Sequence, residues 1–483
     1  MTKNGLLHLP PSRFFCVFYA PHALCDFIKK KKRFTSAPLY LTKIYPFGKI
    51  CDVNKKARTF KMYFGYEISD KVAEMAERAE RDCREVFERI EKNALLCSAK
   101  VLRAFQDTCV STADFIEVTG YGYTDSGRDK LEEIYARVFG AEDALVRPQI
   151  MSGTHALALT LGGLLKYGDT LLYITGAPYD TLGSVIGTHG TSRNSLIKCG
   201  VKYEEIDLVD NDFDIEAVKR RLEGDFVKVV AIQRSRGYSR RKSLTIDKIE
   251  RAIKAVKEVS PNSIVMVDNC YGEFTESREP TEVGADVFVG SMMKNLGAGF
   301  AVSGGYCVGR REVIEDIAER LTAPCVGKEL GANFNQLASF YKGFFMAPSA
   351  VASTLKSMTF AARMLELCGF EHIDPTYDEV RTDIVQTVDL NTPENLIKFC
   401  TGIQKGSPVE AYCTPVPGDM PGYPHPEIMA AGTFVTGATN ELSCDGPLTP
   451  PYTAFMQGGL TYEYGKLGVM RAIDEMLKSE DSL

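Results

Sequence analysis

The sequence has no tryptophan, only six histidines, and no apolar run near the roughly 18 residues that a membrane-spanning helix needs. The histidines are scattered without paired spacing, so no metal site is expected. Its 14 cysteines form no CxxC pair and keep no regular spacing. That argues against a zinc framework and a disulfide scaffold, and for reduced thiols in the cytoplasm. Neither a G-x-x-x-x-G-K-[ST] loop nor a G-x-G-x-x-G fingerprint is present, which removes the two commonest nucleotide cradles. What is there is ordinary globular composition, 45% hydrophobic and 25% charged. At 483 residues the chain exceeds one hydrophobic core, so two domains with additions are expected.

Net charge is −6, but it is unevenly placed. Residues 1–61 hold thirteen Lys/Arg against two Asp/Glu, and the rest of the chain is strongly acidic. This first segment is aromatic, Pro-containing and without a clear period. Its basic run, Lys29–Arg33, follows the apolar stretch instead of preceding it, which is the wrong order for a signal peptide. It reads as a basic, disordered extension with Met62 as the functional start; its charge alone would also suit a nucleic-acid or membrane-surface tail, but no such partner is expected. Residues 62–115 follow as an amphipathic helical arm. Ser69 stands ready to cap a long helix over Glu67–Gln106, with Val72, Met75, Ala76, Ala79, Val86 and Ile90 on its apolar face.

From residue 116 the pattern becomes α/β. Short β-branched runs alternate with helical stretches: Ala144–Ile150, Asp169–Thr175, Val227–Ile232, Ser263–Val267 and Val287–Gly290. Such runs predict buried, mostly parallel strands, whose C-terminal ends are where open α/β sheets place their chemistry. Polar residues cluster at those ends. Ser152, Gly153 and Thr154 lie between a strand and a helix, where free N–H groups and the helix dipole make an anion site. Tyr179 follows the next strand and is placed to cover a flat ring, or simply to pack. Arg234 and Arg236 follow another and are candidates to grip a carboxylate. Asp268 ends a strand, and Ser291 and Lys294 follow one. A lysine in that Gly-rich, apolar setting is expected to be desolvated, with a lowered pKa, and nucleophilic toward carbonyls. A strand-end Asp with a Lys further on is what a pyridoxal 5'-phosphate (PLP) site needs, the Lys as covalent anchor and the Asp facing the ring nitrogen. A structural ion pair is the competing explanation. The loop GYGYTDSGR adds Tyr121, Tyr123 and Arg128 as candidate phosphate contacts; an ordinary turn with surface aromatics explains it too.

The order of these features resembles the aspartate-aminotransferase-like fold, PLP fold type I, and within it the cystathionine β-lyase/methionine γ-lyase group. It most resembles the bacterial branch known as methionine γ-lyase-like or aluminium resistance proteins. The stretches VTGYGYTDSGRDKLEEIYARVFGAEDALVRPQIMSGTHA, AIQRSRGYSRRKSLTI, VDNCYGEF, SMMKNLGAG and ELSCDGPLTPPYTAFMQGGLTYEYGK carry the resemblance. It implies that Lys294 holds PLP, Asp268 pairs with its ring nitrogen, Ser152, Gly153, Thr154 and Ser291 hold its phosphate, and Tyr179 lies over the ring. Tyr121, Tyr123 and Arg128 match only loosely the segment that reaches the neighbouring subunit's phosphate in that group. The pattern implies self-association as a dimer or tetramer and a small-molecule amino-acid substrate. The implied reaction is C–S cleavage in a sulfur amino acid by β- or γ-elimination; an aminotransferase, an aldolase and a catalytically silent binding protein are the alternatives. A PLP-binding large domain is expected over residues 116–334 and a smaller α+β domain over 335–483. In the latter, Ile384–Asp389, Gly432–Ala438 and Ala454–Gly459 are the expected strands, Cys444–Pro447 a turn, and Thr414–His425 a lid-like loop.

Overall fold

The computed structural model describes residues 66–121, 125–419 and 425–478. The expectations for residues 1–61 and for Tyr123 lie outside the described residues. Two helices come first, α1 (Asp70–Asp82) and α2 (Arg84–Asp107). The Ser69 hydroxyl caps α1 by accepting from the Val72 N–H at 3.4 Å. The single helix expected over Glu67–Gln106 is divided at Cys83, and the division has a packing cause. Val72, Ala76 and Ala79 of α1 enter one core, whereas Cys97, Val101 and Ala104 of α2 enter another.

Strands and helices then alternate: α3 (Ser126–Val138), β1 (Asp143–Arg147), α4 (Gly153–Leu164), β2 (Thr170–Tyr173), α5 (Asp180–Ile186), β3 (Lys202–Glu205), the hairpin β4 (Leu208–Val209) and β5 (Asp212–Phe213), α6 (Ile215–Leu222), β6 (Val229–Gln233), α7 (Ile246–Val259), β7 (Ile264–Asp268), β8 (Val287–Ser291), β9 (Gly305–Gly309) and α8 (Arg311–Leu321). Seven of these strands form one sheet, ordered β1-β9-β8-β7-β6-β2-β3. The pairs from β3 through β8 are parallel, and β9 runs antiparallel between β8 and β1. The expected α/β architecture with a mostly parallel sheet is thus present.

The continuous apolar runs have a direct cause. Val265 and Val267 point into a core shared with α3 and α7, while Ile264 and Met266 point into a second core shared with α4 and α8. Side chains alternate along a strand, so a sheet covered on both faces must be apolar at every position.

The 31-residue helix α9 (Leu337–Leu367) joins the two halves. Leu337, Phe340 and Phe344 pack in the large-domain core, and Met358, Phe360 and Leu365 pack in the core of the C-terminal part. That part holds β10 (Ile373–Asp374), β11 (Val385–Asp389), α10 (Pro393–Lys405), β12 (Glu427–Ala430), β13 (Ser443–Pro447), β14 (Thr453–Gln457) and α11 (Tyr462–Met476). Its strands make an antiparallel sheet ordered β10-β11-β14-β13-β12, covered on one face by α10 and α11. Two expectations fail here. Gly432–Ala438 is not a strand, and Cys444–Pro447 is not a turn but most of β13. The Gly and Pro there serve the sheet: a Cβ on Gly446 would sit 2.5 Å from the Thr453 carbonyl, so only glycine lets β13 lie this close to β14. The loop over Thr414–His425 includes residues 420–424, which lie outside the described residues.

Candidate functional site

A cavity of about 450 Å³ opens between the C-terminal ends of β2, β6, β7 and β8 on one side and β11–β14 on the other. Strand periodicity decides which residues reach it. Ile264 and Met266 face α4, and so does Asp268 at the same parity; Val287 and Val289 face α4, and so does Ser291. Both polar residues therefore converge on the N-terminus of α4. There the Ser152 hydroxyl accepts from the His155 N–H at 3.1 Å, and the first-turn N–H groups of Gly153 and Thr154 have no intrahelical acceptor. Thr154 and Thr181 share a hydrogen bond of 2.9 Å. Gly153 packs so tightly that a Cβ would lie 3.1 Å from Cys270 Sγ and 3.5 Å from Ser291 Cβ.

Lys294 begins a 3₁₀ turn (Asn295–Gly297) directly after β8. Its Nζ lies 3.9 Å from the centroid of the Tyr271 ring. Burial pushes its ammonium toward deprotonation, but Cys270, Tyr271, Asp268 and Glu273 outweigh that and hold its pKa above the ordinary lysine value. The expectation of a lowered pKa is thus corrected: desolvation is present, and the acidic groups around the amine override it. For Asp268, burial dominates and raises the carboxyl, with Lys294 and the Cys270 N–H (3.1 Å from Oδ1) opposing.

Tyr179 lines the cavity; its N–H donates to Gln233 Oε1 at 2.6 Å, and its ring stacks on Tyr238 with centroids 5.9 Å apart. Arg234 and Arg236 are not there. On β6, Gln233 has the parity that faces the cavity, and Arg234 is turned to the opposite core face. Arg234 is fully buried and bonds Glu276 at 2.7 Å, Asn269 at 2.9 Å and Glu279 at 3.4 Å. Arg236 is engaged by Asp374 and, at 4.0 Å, by Asp383. Both arginines tie loops together and neither is among the residues lining the cavity. Tyr121 is exposed and Arg128 is buried on α3, and neither lines this chain's cavity. Arg128 Nε reaches Asp129 at 3.3 Å, and its Nη1 has no hydrogen-bond partner among the described residues.

Two cavity residues, Tyr271 and Tyr238, escaped the sequence reading, and a third, Asp445, was expected only within a turn. Tyr271 sits three residues past Asp268, in left-handed backbone (φ 71°) that a bulky residue rarely adopts, and its hydroxyl bonds Gln457 of β14. Its place in VDNCYGEF was a usable signal. Tyr238 and Asp445 meet through a 2.7 Å hydrogen bond between the loop after β6 and the antiparallel sheet, which no local pattern announces.

The methionine gamma-lyase family profile matches residues 72–477. The chain belongs to that family. It is 46% identical over 407 residues to the uncharacterized protein YnbB of Bacillus subtilis, covering 84% of this chain and 96% of that one. A Clostridium acetobutylicum crystal structure, provisionally named as a cystathionine beta-lyase involved in aluminum resistance, superposes with a TM-score of 0.83 at 43% identity, covering 88% of this chain and 100% of that one. The L-methionine gamma-lyase of Fusobacterium nucleatum is 26% identical over 203 residues, 42% of this chain and 47% of that enzyme. Among the described residues no helix is long and apolar enough to cross a membrane, and no three His, Cys, Asp or Glu are grouped to hold a metal ion.

Proposed function

We propose that this member of the methionine gamma-lyase family is a PLP-dependent carbon–sulfur lyase. It cleaves a sulfur amino acid of the methionine or cystathionine type by β- or γ-elimination, giving a keto acid, ammonia and a thiol. The observation that carries the reading is the convergence of Asp268 and Lys294, at the ends of adjacent parallel strands, on the N-terminus of α4.

The residues present suit PLP. Gly153 lets the start of α4 lie close against Cys270 and Ser291, where a Cβ would be crowded, Ser152, Thr154 and Ser291 line the cavity there with their hydroxyls, and the helix N-terminus favours a phosphate. When bound, PLP supplies an electron sink that makes the substrate Cα–H acidic and lets a thiolate depart. Asp268 would hold a proton on the ring nitrogen, where burial strengthens the charge pairing. Tyr179 would cover the ring face. Lys294 would anchor the cofactor, and its Nζ, lying in the cavity, would be the base for the substrate Cα proton. Tyr271, beneath that amine, positions it and links it to β14 through Gln457.

Self-association belongs to the same proposal. Phe115, Ile116, Tyr121 and Phe334 are exposed apolar side chains on the segments next to the Gly120–Gly331 backbone contact, and Arg128 carries an unpartnered Nη1 beside them. A second copy packed on this face would bring Arg128 to a neighbouring site. All eleven described cysteines are free, which supports a reducing, cytoplasmic setting.

The test is incubation of purified, PLP-supplemented protein with L-methionine, L-cystathionine and L-cysteine, with thiol and keto acid measured together. Equimolar release from one of them is expected. Amino-group transfer to an added keto acid, with no thiol, would replace the lyase by an aminotransferase.

A further inference from the structure

The cavity has two unlike walls. Lys294 is the one cationic residue among its described lining residues, and it stands on the large-domain side. On the facing small-domain sheet, Asp445 of β13 accepts the Tyr238 hydroxyl at 2.7 Å. The register pairs Met429 of β12 with Asp445, so Glu427, two residues before Met429, lies diagonally beside Asp445 on the same face. Met429 and Asp445 both line the cavity. Glu427 is only 7% exposed, and its Oε2 has no hydrogen-bond partner among the described residues. The charges it feels are like-signed ones, Asp445 and Asp180. Burial pushes Glu427 up to about 7 and Asp445 up to about 6. A buried carboxylate without a hydrogen-bond partner is costly when ionised, and either a proton or a cation offsets that cost. Among the described residues no three His, Cys, Asp or Glu are grouped to hold a metal ion, so an organic cation is the fitting partner.

We propose that Asp445 and Glu427 form a cation subsite for the leaving-group arm, selecting sulfur amino acids whose thiol side carries an ammonium group over neutral thioethers. The proposal rests on the lyase reading of the same cavity and narrows its substrate class. Asp445 makes the direct contact, oriented by Tyr238, and Glu427, beside it in the sheet and outside the cavity lining, adds negative charge when a bound cation favours its ionised form.

The test uses PLP-loaded full-length protein and two ligands of similar shape, S-(2-aminoethyl)-L-cysteine and S-propyl-L-cysteine. Binding is read by calorimetry and by the change in cofactor absorbance, so no turnover is needed. The cationic ligand is expected to bind about tenfold tighter, the scale of a charge-assisted contact. Asp445→Asn and Glu427→Gln should each shrink that ratio. Because both ligands are compared on the same variant, a partly folded sample does not distort the ratio. Equal or weaker binding of the cation, or a ratio unchanged in both variants, overturns the subsite. A retained preference without thiol release would overturn the lyase reading and leave the subsite standing. Thiol release from both ligands with equal affinity would do the reverse.

Discussion

The two walls of the cavity are built on opposite principles. On the parallel-sheet wall, charge is matched within the chain: Asp268 faces Lys294, and Arg234 behind them is enclosed by Glu276 and Glu279. On the antiparallel wall, Asp445 lines the cavity with Glu427 beside it in the sheet, and no cationic residue of that wall is among the described lining residues. A matched wall suits a group that stays, and an unmatched one suits a group that comes and goes. The cofactor is therefore assigned to the first wall and substrate discrimination to the second.

The sharpest way to break this division is Lys294→Ala. It should abolish the bound cofactor's absorbance band and lower turnover by on the order of 10³-fold or more, the range for losing a positioned acid–base group. Full activity in that variant would remove the matched wall from the chemistry.

Next in size is Arg234→Ala. Leaving Glu279 buried without its cation should cost about 3–5 kcal/mol of stability, read as a lower thermal unfolding midpoint. An unchanged midpoint with a raised KM would return Arg234 to the role of a carboxylate clamp.

Gly153→Ala tests the phosphate site at the start of α4. A Cβ only 3.1 Å from Cys270 Sγ should weaken PLP affinity about tenfold, or ~1.4 kcal/mol, measured by absorbance titration. Unaltered affinity would mean that the phosphate sits elsewhere.

A further effect is pH-dependent and spread over several pH units. Burial pushes Glu273 from 4.5 up to about 8, with the Tyr306 hydroxyl opposing. The folded state thus binds a proton that the unfolded state releases. Its stabilising contribution is complete below about pH 4.5 and is lost as pH rises toward 8, by up to about 1.4 kcal/mol per pH unit. Urea unfolding at several pH values should show that slope, and Glu273→Gln should flatten it.

The same contrast explains what the sequence disclosed. Asp268, Ser291 and Lys294 were legible because parallel strands bury both faces, so a polar residue at the end of an apolar run stands out. The arginines misled for a related reason: one position of parity separates Gln233, which faces the cavity, from Arg234, which does not. The antiparallel sheet was harder to read. Gly446 and Pro447 carry turn chemistry, yet they lie in β13 because pairing with β14 and β12 overrides local preference. The encounter of Tyr238 with Asp445, 207 positions apart, exists only in three dimensions. The pKa of Lys294 depends on Glu273 and Tyr271, whose approach no spacing reveals.

The most direct test of the central claim is chemical. The purified protein is loaded with PLP, reduced with borohydride, digested, and its peptides are weighed by mass spectrometry. The account predicts a phosphopyridoxyl adduct on the peptide containing Lys294, and on no other. An adduct on a different lysine, or none at all, would contradict it.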